Sequence, residues 1–219
     1  MIEQFNDNEE HTTDIPEPEE LEEATNAETP EIIPILPLRG TVVFPMTLVP
    51  LAAGQARSLR LIDDVVSGDR IVGLVLQHDQ EVEGAGPGET HEIGVVANIH
   101  QMMRVPDGTV RLAIQGVRRM RVLEWVAEEP YLTARIEEIP ETEDDSVEVK
   151  ALMRNTLELF QRLVSLVSSL PDELATAAFN IDDPLHLVYL ISSNLRMEPE
   201  EKQELLELDS IRAKMQRLN

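Results

Sequence analysis

The chain has 219 residues, 42% of them hydrophobic, which is enough to build a core. Acidic residues outnumber basic ones 42 to 18 for a formal net charge of -24. Because binding a polyanion requires Lys and Arg to displace its counterions, we expect no nucleic-acid partner. The chain has no cysteine, secretory signal or long apolar run, which excludes disulfides and favours a cytoplasmic protein without a membrane partner.

The chain starts with an acidic segment. Residues 1–31 contain twelve Asp and Glu and no Lys or Arg, which is half of the net charge. Such a segment has little apolar surface to bury, so ordering it would cost backbone entropy that no contact offsets. We predict a disordered acidic tail over residues 1–30.

A β-rich lobe with one short helix is predicted for residues 31–142. It begins at Ile32 in IIPILPL, where prolines make a central strand improbable and favour short, bulged or edge strands. Apolar residues at helical spacing predict one helix between Gly54 and Ser67, and IVGLVLQ at 71–77 predicts a buried strand.

The clearest hairpin signal is the turn PDGT at 106–109, whose Asp107-Gly108 pair suits the positive φ angles of a tight turn. It is followed by a returning strand from Val110. Before it, apolar residues alternate along one face of a long strand: Ile93, Val95, Ala97, Ile99, Met103 and Val105. A last strand from Tyr131 ends at Pro140.

Residues 143–219 are predicted to form a helical bundle. Apolar residues three or four apart from Val147 predict a long amphipathic helix, and prolines at 171, 184 and 199 mark the starts of three more. The last of these carries a heptad seam made of Leu208, Ile211, Met215 and Leu218. Two interpretations remain: a coiled-coil helix that is truncated at Asn219 and leads to another domain, or a frayed terminal helix packed on its own bundle.

Three segments together resemble the amino-terminal domain of Lon-type ATP-dependent proteases. They are IPILPLRGTVVFPMTLVPLAAG (33–54), EIGVVANIHQMMRVPDGTVRLAIQGVRRMRV (92–122) and IDDPLHLVYLISSNLRMEPEEKQELLE (181–207). The resemblance implies an α+β fold in which a PUA-like lobe is joined by a long helix to a helical bundle. It also implies a hexameric parent enzyme and a role in protein quality control, the recognition of protein substrates for ATP-dependent proteolysis. The acidic tail departs from the family, whose members usually start close to the LPLR strand.

No catalytic site, cofactor or metal is predicted. A phosphate-binding GxxxxGK[ST] loop is absent, and the five histidines form no zinc-binding pair. A serine peptidase of the Ser-Lys type would need a buried lysine, but Lys150, Lys202 and Lys214 are all expected on exposed helix faces. The chain by itself is therefore not expected to be an enzyme.

The only concentration of basic residues lies on the hairpin. It comprises Arg104, Arg111, Arg118, Arg119 and Arg121. We favour outward-pointing charges that protect a sheet edge, with a patch for an anionic partner as the alternative.

The best candidate for a substrate-binding surface is the apolar loop of Val43, Phe44, Pro45, Met46 and Leu48, which proline keeps out of a regular sheet. Equally, Phe44 could fill the core of the lobe. Met102, expected on the outward face of the long strand, is a second candidate because a flexible thioether suits varied substrates. We expect binding of unfolded or damaged proteins; the alternative is an assembly or gating module whose heptad seam mediates oligomerisation.

Overall fold

The computed structural model describes residues 29–142 and 144–219, so nearly all of the predicted acidic tail lies outside the described residues. The first part contains β1 (Ile32–Leu38), β2 (Leu48–Ala53), α1 (Ala56–Ser67), β3 (Ile71–Leu76), β4 (Ile93–Arg104), β5 (Val110–Ala127) and β6 (Thr133–Glu138). The second part contains α2 (Val147–Leu166), α3 (Glu173–Phe179), α4 (Pro184–Asn194), α5 (Pro199–Glu207) and α6 (Ile211–Leu218). The predicted α+β class is confirmed.

The six-stranded sheet closes on itself into a barrel. Its order is β2-β5-β4-β3-β1-β6, and a further pairing joins β5 to β6. β1 and β3 are parallel, and the other pairs are antiparallel. Closure is possible because β5 has 18 residues, so its first half pairs with β2 and its second half with β6. Closing a sheet removes most of its edges.

The expectation that β1 would not be central is wrong, since β1 lies between β3 and β6. Residues 32–34 are in register with β6, and residues 35–38 are in register with β3. Each half of β1 therefore has one registered neighbour. This arrangement tolerates Pro34 and Pro37, neither of which can donate a backbone hydrogen bond.

Two apolar clusters occupy opposite faces of the sheet, because successive side chains of a strand point to opposite sides. In β3, Val72 and Leu74 belong to one cluster, while Ile71 and Val75 belong to the other. The amphipathic helix α1 covers the first cluster. The second fills the barrel between β1, β3, β4, β5 and β6.

A β-bulge in β4 reverses the expected alternation. Ile99 pairs with Ile114 and Gln101 with Ala113, so His100 is an extra residue. Beyond it, Met102 packs against the first cluster, while Met103 is 58% exposed. The prediction that Met102 faces outward is therefore wrong in orientation, and the exposed thioether is that of Met103.

The helical half follows its sequence signals closely at the starts of helices. Ser146 caps α2 by accepting from Val149 N at 3.2 Å, and Asp183 caps α4 by accepting from Leu185 N at 3.1 Å. The prediction of one continuous helix from Pro199 to the end of the chain is wrong. This segment forms two helices, because Leu208 is extended and Ser210 caps α6 anew.

A third apolar cluster joins the barrel to the bundle. The barrel half contributes Phe44, Leu76 and Val95. The bundle contributes residues from all of its helices, among them Phe160, Ala178, Leu187, Leu205, Ile211 and Met215. Because both halves bury side chains in this cluster, their relative position is determined by packing.

Candidate functional site between the barrel and the bundle

The predicted substrate loop, residues 43–48, is bound to β5 through its backbone. Met46 N donates to Gly116 O at 2.8 Å, and Gly116 N donates to Thr47 O at 3.0 Å. Thr47 Oγ1 donates to Phe44 O at 2.6 Å. A Cβ on Gly116 would lie 2.2 Å from Phe44 O, so only glycine allows this approach.

The loop residues differ in accessibility. Val43, Phe44 and Pro45 are buried, whereas Met46 is half-buried and Leu48 is 47% exposed. The structure thus favours the alternative in which Phe44 fills a core. That core is the cluster joining barrel and bundle rather than the interior of the β-rich lobe. Of the loop, Met46 and Leu48 remain accessible to a partner.

Behind this loop lies a buried polar network that connects β5, the linker before α2, and the bundle. Arg119 of β5 is fully buried, and its Nε donates to Glu141 Oε1 at 2.7 Å. Its Nη1 donates to the carbonyl oxygens of Leu206 at 3.1 Å and Leu208 at 3.2 Å, where α5 ends. Tyr189 of α4 donates its hydroxyl to the same Glu141 oxygen. One carboxylate therefore joins both halves of the molecule.

Lys214 of α6 belongs to the same region and is fully buried. Its Nζ donates to the carbonyl oxygens of Leu205 at 3.1 Å and Leu206 at 3.2 Å, and lies 5.2 Å from the centroid of the Tyr189 ring. Burial, helped by the charge of Arg119 and opposed by carboxylates, lowers the pKa of Lys214 to about 7. Burial and the neighbouring Glu141 raise the pKa of the Tyr189 hydroxyl.

Two expectations about charged residues are wrong. Lys214 was expected on an exposed helix face, and Arg119 was expected among outward charges on the sheet. Arg119 does point away from the barrel interior, into which its neighbour Met120 packs. The bundle covers that outer face, which no pattern within the hairpin indicates. By contrast, Arg118 and Arg121 lie at the surface and pair with Glu138 and Glu137 of β6, at 2.8 and 3.0 Å.

A cleft of about 910 Å³ opens beside this network. We call it the interlobe cleft. Its apolar lining comes from Pro45, Met46, Val117, Ile139, Pro140, Leu185 and Ile211. Its acidic lining comes from Glu138, Glu141, Asp144, Asp145, Asp182 and Asp183, against Arg118 and Arg119.

The carboxylates of the cleft have different roles. Asp183 is the cap of α4, and Asp144 accepts from Ser146 N at 2.9 Å. Hydrogen bonds to Ser146 lower the pKa of Asp144. Asp145 and Asp182 are exposed. The cleft therefore presents an apolar floor with a negatively charged rim, which suits a segment that is both apolar and basic.

The predicted heptad seam does not lie on one helix. Leu208 is in the break between α5 and α6. Ile211 and Met215 are buried in the cluster that joins barrel and bundle, and Leu218 packs against it. In this structure the seam thus packs on its own bundle, as in the second interpretation. A role in oligomerisation stays a prediction.

Two kinds of feature are absent from residues 29–142 and 144–219. No three or more His, Asp or Glu side chains are grouped so as to hold a metal ion. None of the helices in this part of the chain is long and apolar enough to cross a membrane.

Comparisons with known proteins agree with the architecture. The chain is similar to the N terminal domain of Mycobacterium avium complex Lon protease, with a TM-score of 0.72 at 22% identity, covering 85% of this chain and 95% of that one. It is also similar to the Lon N-terminal domain protein from Xanthomonas campestris, with a TM-score of 0.60 at 18% identity, covering 85% and 96%. These similarities show the same fold.

Several Lon proteases have a higher sequence identity to this chain than those two structures have. The Lon protease of Dictyoglomus thermophilum is 40% identical over 200 residues, which is 91% of this chain and 25% of that protein. Lon protease of Koribacter versatilis is 34% identical over 214 residues, 97% of this chain and 26% of that protein. The chain thus spans about a quarter of these relatives. Residues 32–219 match the family model of the ATP-dependent protease La (LON) substrate-binding domain, and the chain therefore belongs to that family.

Proposed function

We propose that this domain binds unfolded or damaged polypeptides in the interlobe cleft and holds them for the ATPase and serine peptidase domains of a parent Lon protease. The domain itself catalyses nothing in this proposal. The observation that carries it is the combination of an apolar floor and an acidic rim in one open cleft. Unfolded chains expose the apolar side chains that folded proteins bury, so an apolar floor distinguishes them from folded ones.

The charge of the domain adds a preference among substrates. With a formal net charge of -24, the chain attracts basic segments and repels acidic ones at low ionic strength. Asp145 and Asp182 are exposed on the rim of the cleft, where they can meet a Lys or Arg of a bound segment. Cytoplasmic proteins that have lost their fold are the substrates we propose; membranes and nucleic acids are not part of the proposal.

Binding by one copy should be weak. Burying three apolar side chains contributes on the order of 5 to 8 kcal/mol, and association entropy opposes much of it, so we expect a Kd between roughly millimolar and micromolar. Subunits of one hexameric protease would present six such clefts, and linking them raises the local concentration of binding sites.

Cross-linking tests this proposal directly. Because the chain has no cysteine, Met46→Cys introduces a unique thiol at the cleft to which a photo-cross-linker can be attached. We expect efficient cross-linking to an unfolded protein and little to the same protein when folded. The double variant Asp145→Lys and Asp182→Lys should weaken capture of a basic unfolded protein. Its control, Glu83→Lys and Glu158→Lys, changes the net charge equally at exposed positions outside the cleft.

Equal loss of capture in both double variants would leave only long-range charge as the cause and would contradict binding in the cleft. Absence of cross-linking from Met46→Cys to any unfolded protein would contradict the proposed function as a whole.

A second candidate function, assembly of the protease, is supported by apolar residues on the bundle surface. Leu159, Leu166 and Phe179 are 47%, 74% and 66% exposed. Leu218, from the predicted seam, lines a groove of about 260 Å³ with Leu159, Leu163 and Leu195. Light scattering separates the two functions: oligomers that form with rising concentration and disappear in Leu166→Lys with Phe179→Lys favour assembly.

A further inference from the structure

The last residues of β5 have an open edge. Registered pairing with β4 ends where Arg121 lies opposite Ile93, and one further bond joins Val122 N to Glu92 O at 2.8 Å. On its other side β5 remains paired with β6 as far as Ala127. Within the described ranges no strand is paired with residues 123–127 on the side of β4. An open sheet edge is a template for another extended chain.

Two β-bulges turn apolar side chains outward along this edge. Leu123 and Val126 are the extra residues of β5 relative to β6. They are 53% and 49% exposed. Between them Trp125 is half-buried against the barrel interior. Bulges re-aim side chains and are frequent beside functional sites, so an apolar surface and an open edge coincide here.

A pocket of about 510 Å³ lies beside the edge, between residues 122–125 of β5 and the segment that leads into β4. Thr90 lines it and is 5% exposed, and its Oγ1 has no hydrogen-bond partner among residues 29–142 and 144–219. Buried hydroxyls normally have a partner, so this covered and unpaired hydroxyl distinguishes the wall of the pocket from an ordinary core. The rings of His78 and His91, with centroids 4.4 Å apart, also line the pocket.

We propose that residues 122–127 of β5 bind an extended segment of an unfolded polypeptide as an added strand, with one apolar side chain of that segment in the adjacent pocket. Backbone hydrogen bonds to a sheet edge require no particular side chains, which suits varied substrates. The carboxylates of Glu92 and Glu207 line the same pocket and favour a segment that also carries Lys or Arg. This inference rests on the proposed function and adds to it a second contact, away from the interlobe cleft.

Trp125 is the only tryptophan of the chain, so its fluorescence reports on this site alone. The probe is a short synthetic peptide that alternates valine and lysine. The control is the same peptide with every backbone nitrogen methylated, so that neither of its edges can donate to a strand. We expect a saturable change in fluorescence with the first peptide and none with the second. No change with either peptide, or an equal change with both, would overturn the inference.

Substitutions give an independent test. In Leu123→Lys with Val126→Lys, two exposed bulge residues are replaced, and we expect binding of the peptide to weaken about tenfold or more. The matched control is Ile32→Lys with Val147→Lys, at apolar positions that are 43% and 85% exposed and lie outside the pocket, and it should bind as the parent does. Circular dichroism verifies folding. Should the first variant not fold, Leu123→Ser alone removes one exposed apolar side chain of the pocket and should weaken binding of the peptide severalfold.

The two proposals fail in different ways. Unchanged peptide affinity in the folded edge variants would overturn strand addition, while capture of an unfolded protein at Met46→Cys would still support the proposed function. If no unfolded protein is captured there, the proposed function fails, and the peptide titration still decides whether the edge of β5 accepts a strand.

Discussion

The ring of Phe44 stacks on the ring of Tyr189, with centroids 5.5 Å apart and planes inclined by 24°. Phe44 belongs to the loop after β1, and Tyr189 belongs to α4, so the pair joins barrel and bundle. The hydroxyl of Tyr189 donates to Glu141 in the linker, and Lys214 of α6 lies over its ring. Because four separate segments meet at this ring pair, we expect barrel and bundle to unfold together.

Truncation of Phe44 tests this coupling. Phe44→Ala should lower the free energy of unfolding by about 3 to 5 kcal/mol, since it leaves a cavity in the cluster shared by both halves. Urea denaturation followed by circular dichroism measures the loss. Met103→Ala, at an exposed position, should change it by less than about 0.5 kcal/mol. A loss from Phe44→Ala as small as that of Met103→Ala would show that the interface contributes little.

Replacing Arg119 should strongly lower the stability of the fold. Arg119→Met leaves Glu141 without its guanidinium partner and should lower the free energy of unfolding by about 3 to 5 kcal/mol. The double variant Arg119→Met with Glu141→Gln should recover part of this loss, because no uncompensated charge remains. Strictly additive losses in urea denaturation would be the contrary result. Arg118→Met, at a surface ion pair, should cost no more than about 1 kcal/mol.

Stability should depend on pH through Lys214. Its pKa is lowered to about 7 in the folded chain, against about 10.4 in an unfolded one. Between these values the unfolded state binds more protons, so the free energy of unfolding rises with pH, by at most about 1.4 kcal/mol per pH unit. Arg119, Glu141, Asp209 and Tyr189 surround this amine.

Lys214→Met isolates this contribution. The difference in the free energy of unfolding between parent and variant, measured from pH 7 to 9.5, should change in favour of the parent as pH rises. The window ends there because tyrosines of the unfolded chain begin to ionise near pH 10. A difference that stays constant over the window would mean that Lys214 titrates at its ordinary pKa.

Replacing Gly116 by any residue with a Cβ should destabilise the fold. In Gly116→Ala the new methyl group would meet the carbonyl oxygen of Phe44 at 2.2 Å, so the loop or β5 must shift. We expect a loss of more than about 2 kcal/mol, seen as a Tm lower by roughly 5 °C or more. The control is Gly86→Ala, where the nearest atom, Glu89 Oε2, is 3.7 Å from the new methyl group. Equal melting temperatures for the two variants would contradict the close approach.

Features that depend on neighbouring residues were predictable from the chain. Asp107 and Gly108 lie in the expected turn, where Gly108 has a φ of +87° and Thr109 N donates to Asp107 Oδ1 at 2.8 Å. The expectation of a positive φ holds for Gly108 but not for Asp107. Asp183 and Pro184 start α4 as expected. Capping and turn formation involve groups within about four positions of each other, so the residue types alone specify them.

The β-bulges were not predictable in this way. Gln101 is polar and interrupts the apolar alternation of odd-numbered positions from Ile93 to Val105, but the sequence does not say whether an extra residue shifts that alternation. The pairing of Ile99 and Gln101 with neighbouring residues of β5 makes His100 the extra residue, and this decides the exposure of Met102 and Met103. The accessible part of the predicted substrate surface changed for this reason.

Composition, periodicity and family motifs were thus sufficient for the α+β class, most helix starts and the kinship with Lon substrate-binding domains. The burial of Phe44, Arg119 and Lys214 was decided by packing between segments far apart in the chain. An arginine on the outside of a barrel looks the same in sequence whether water or a helical bundle covers it. The position of the bundle over β5, and with it the interlobe cleft, follows from long-range contacts that no local pattern encodes.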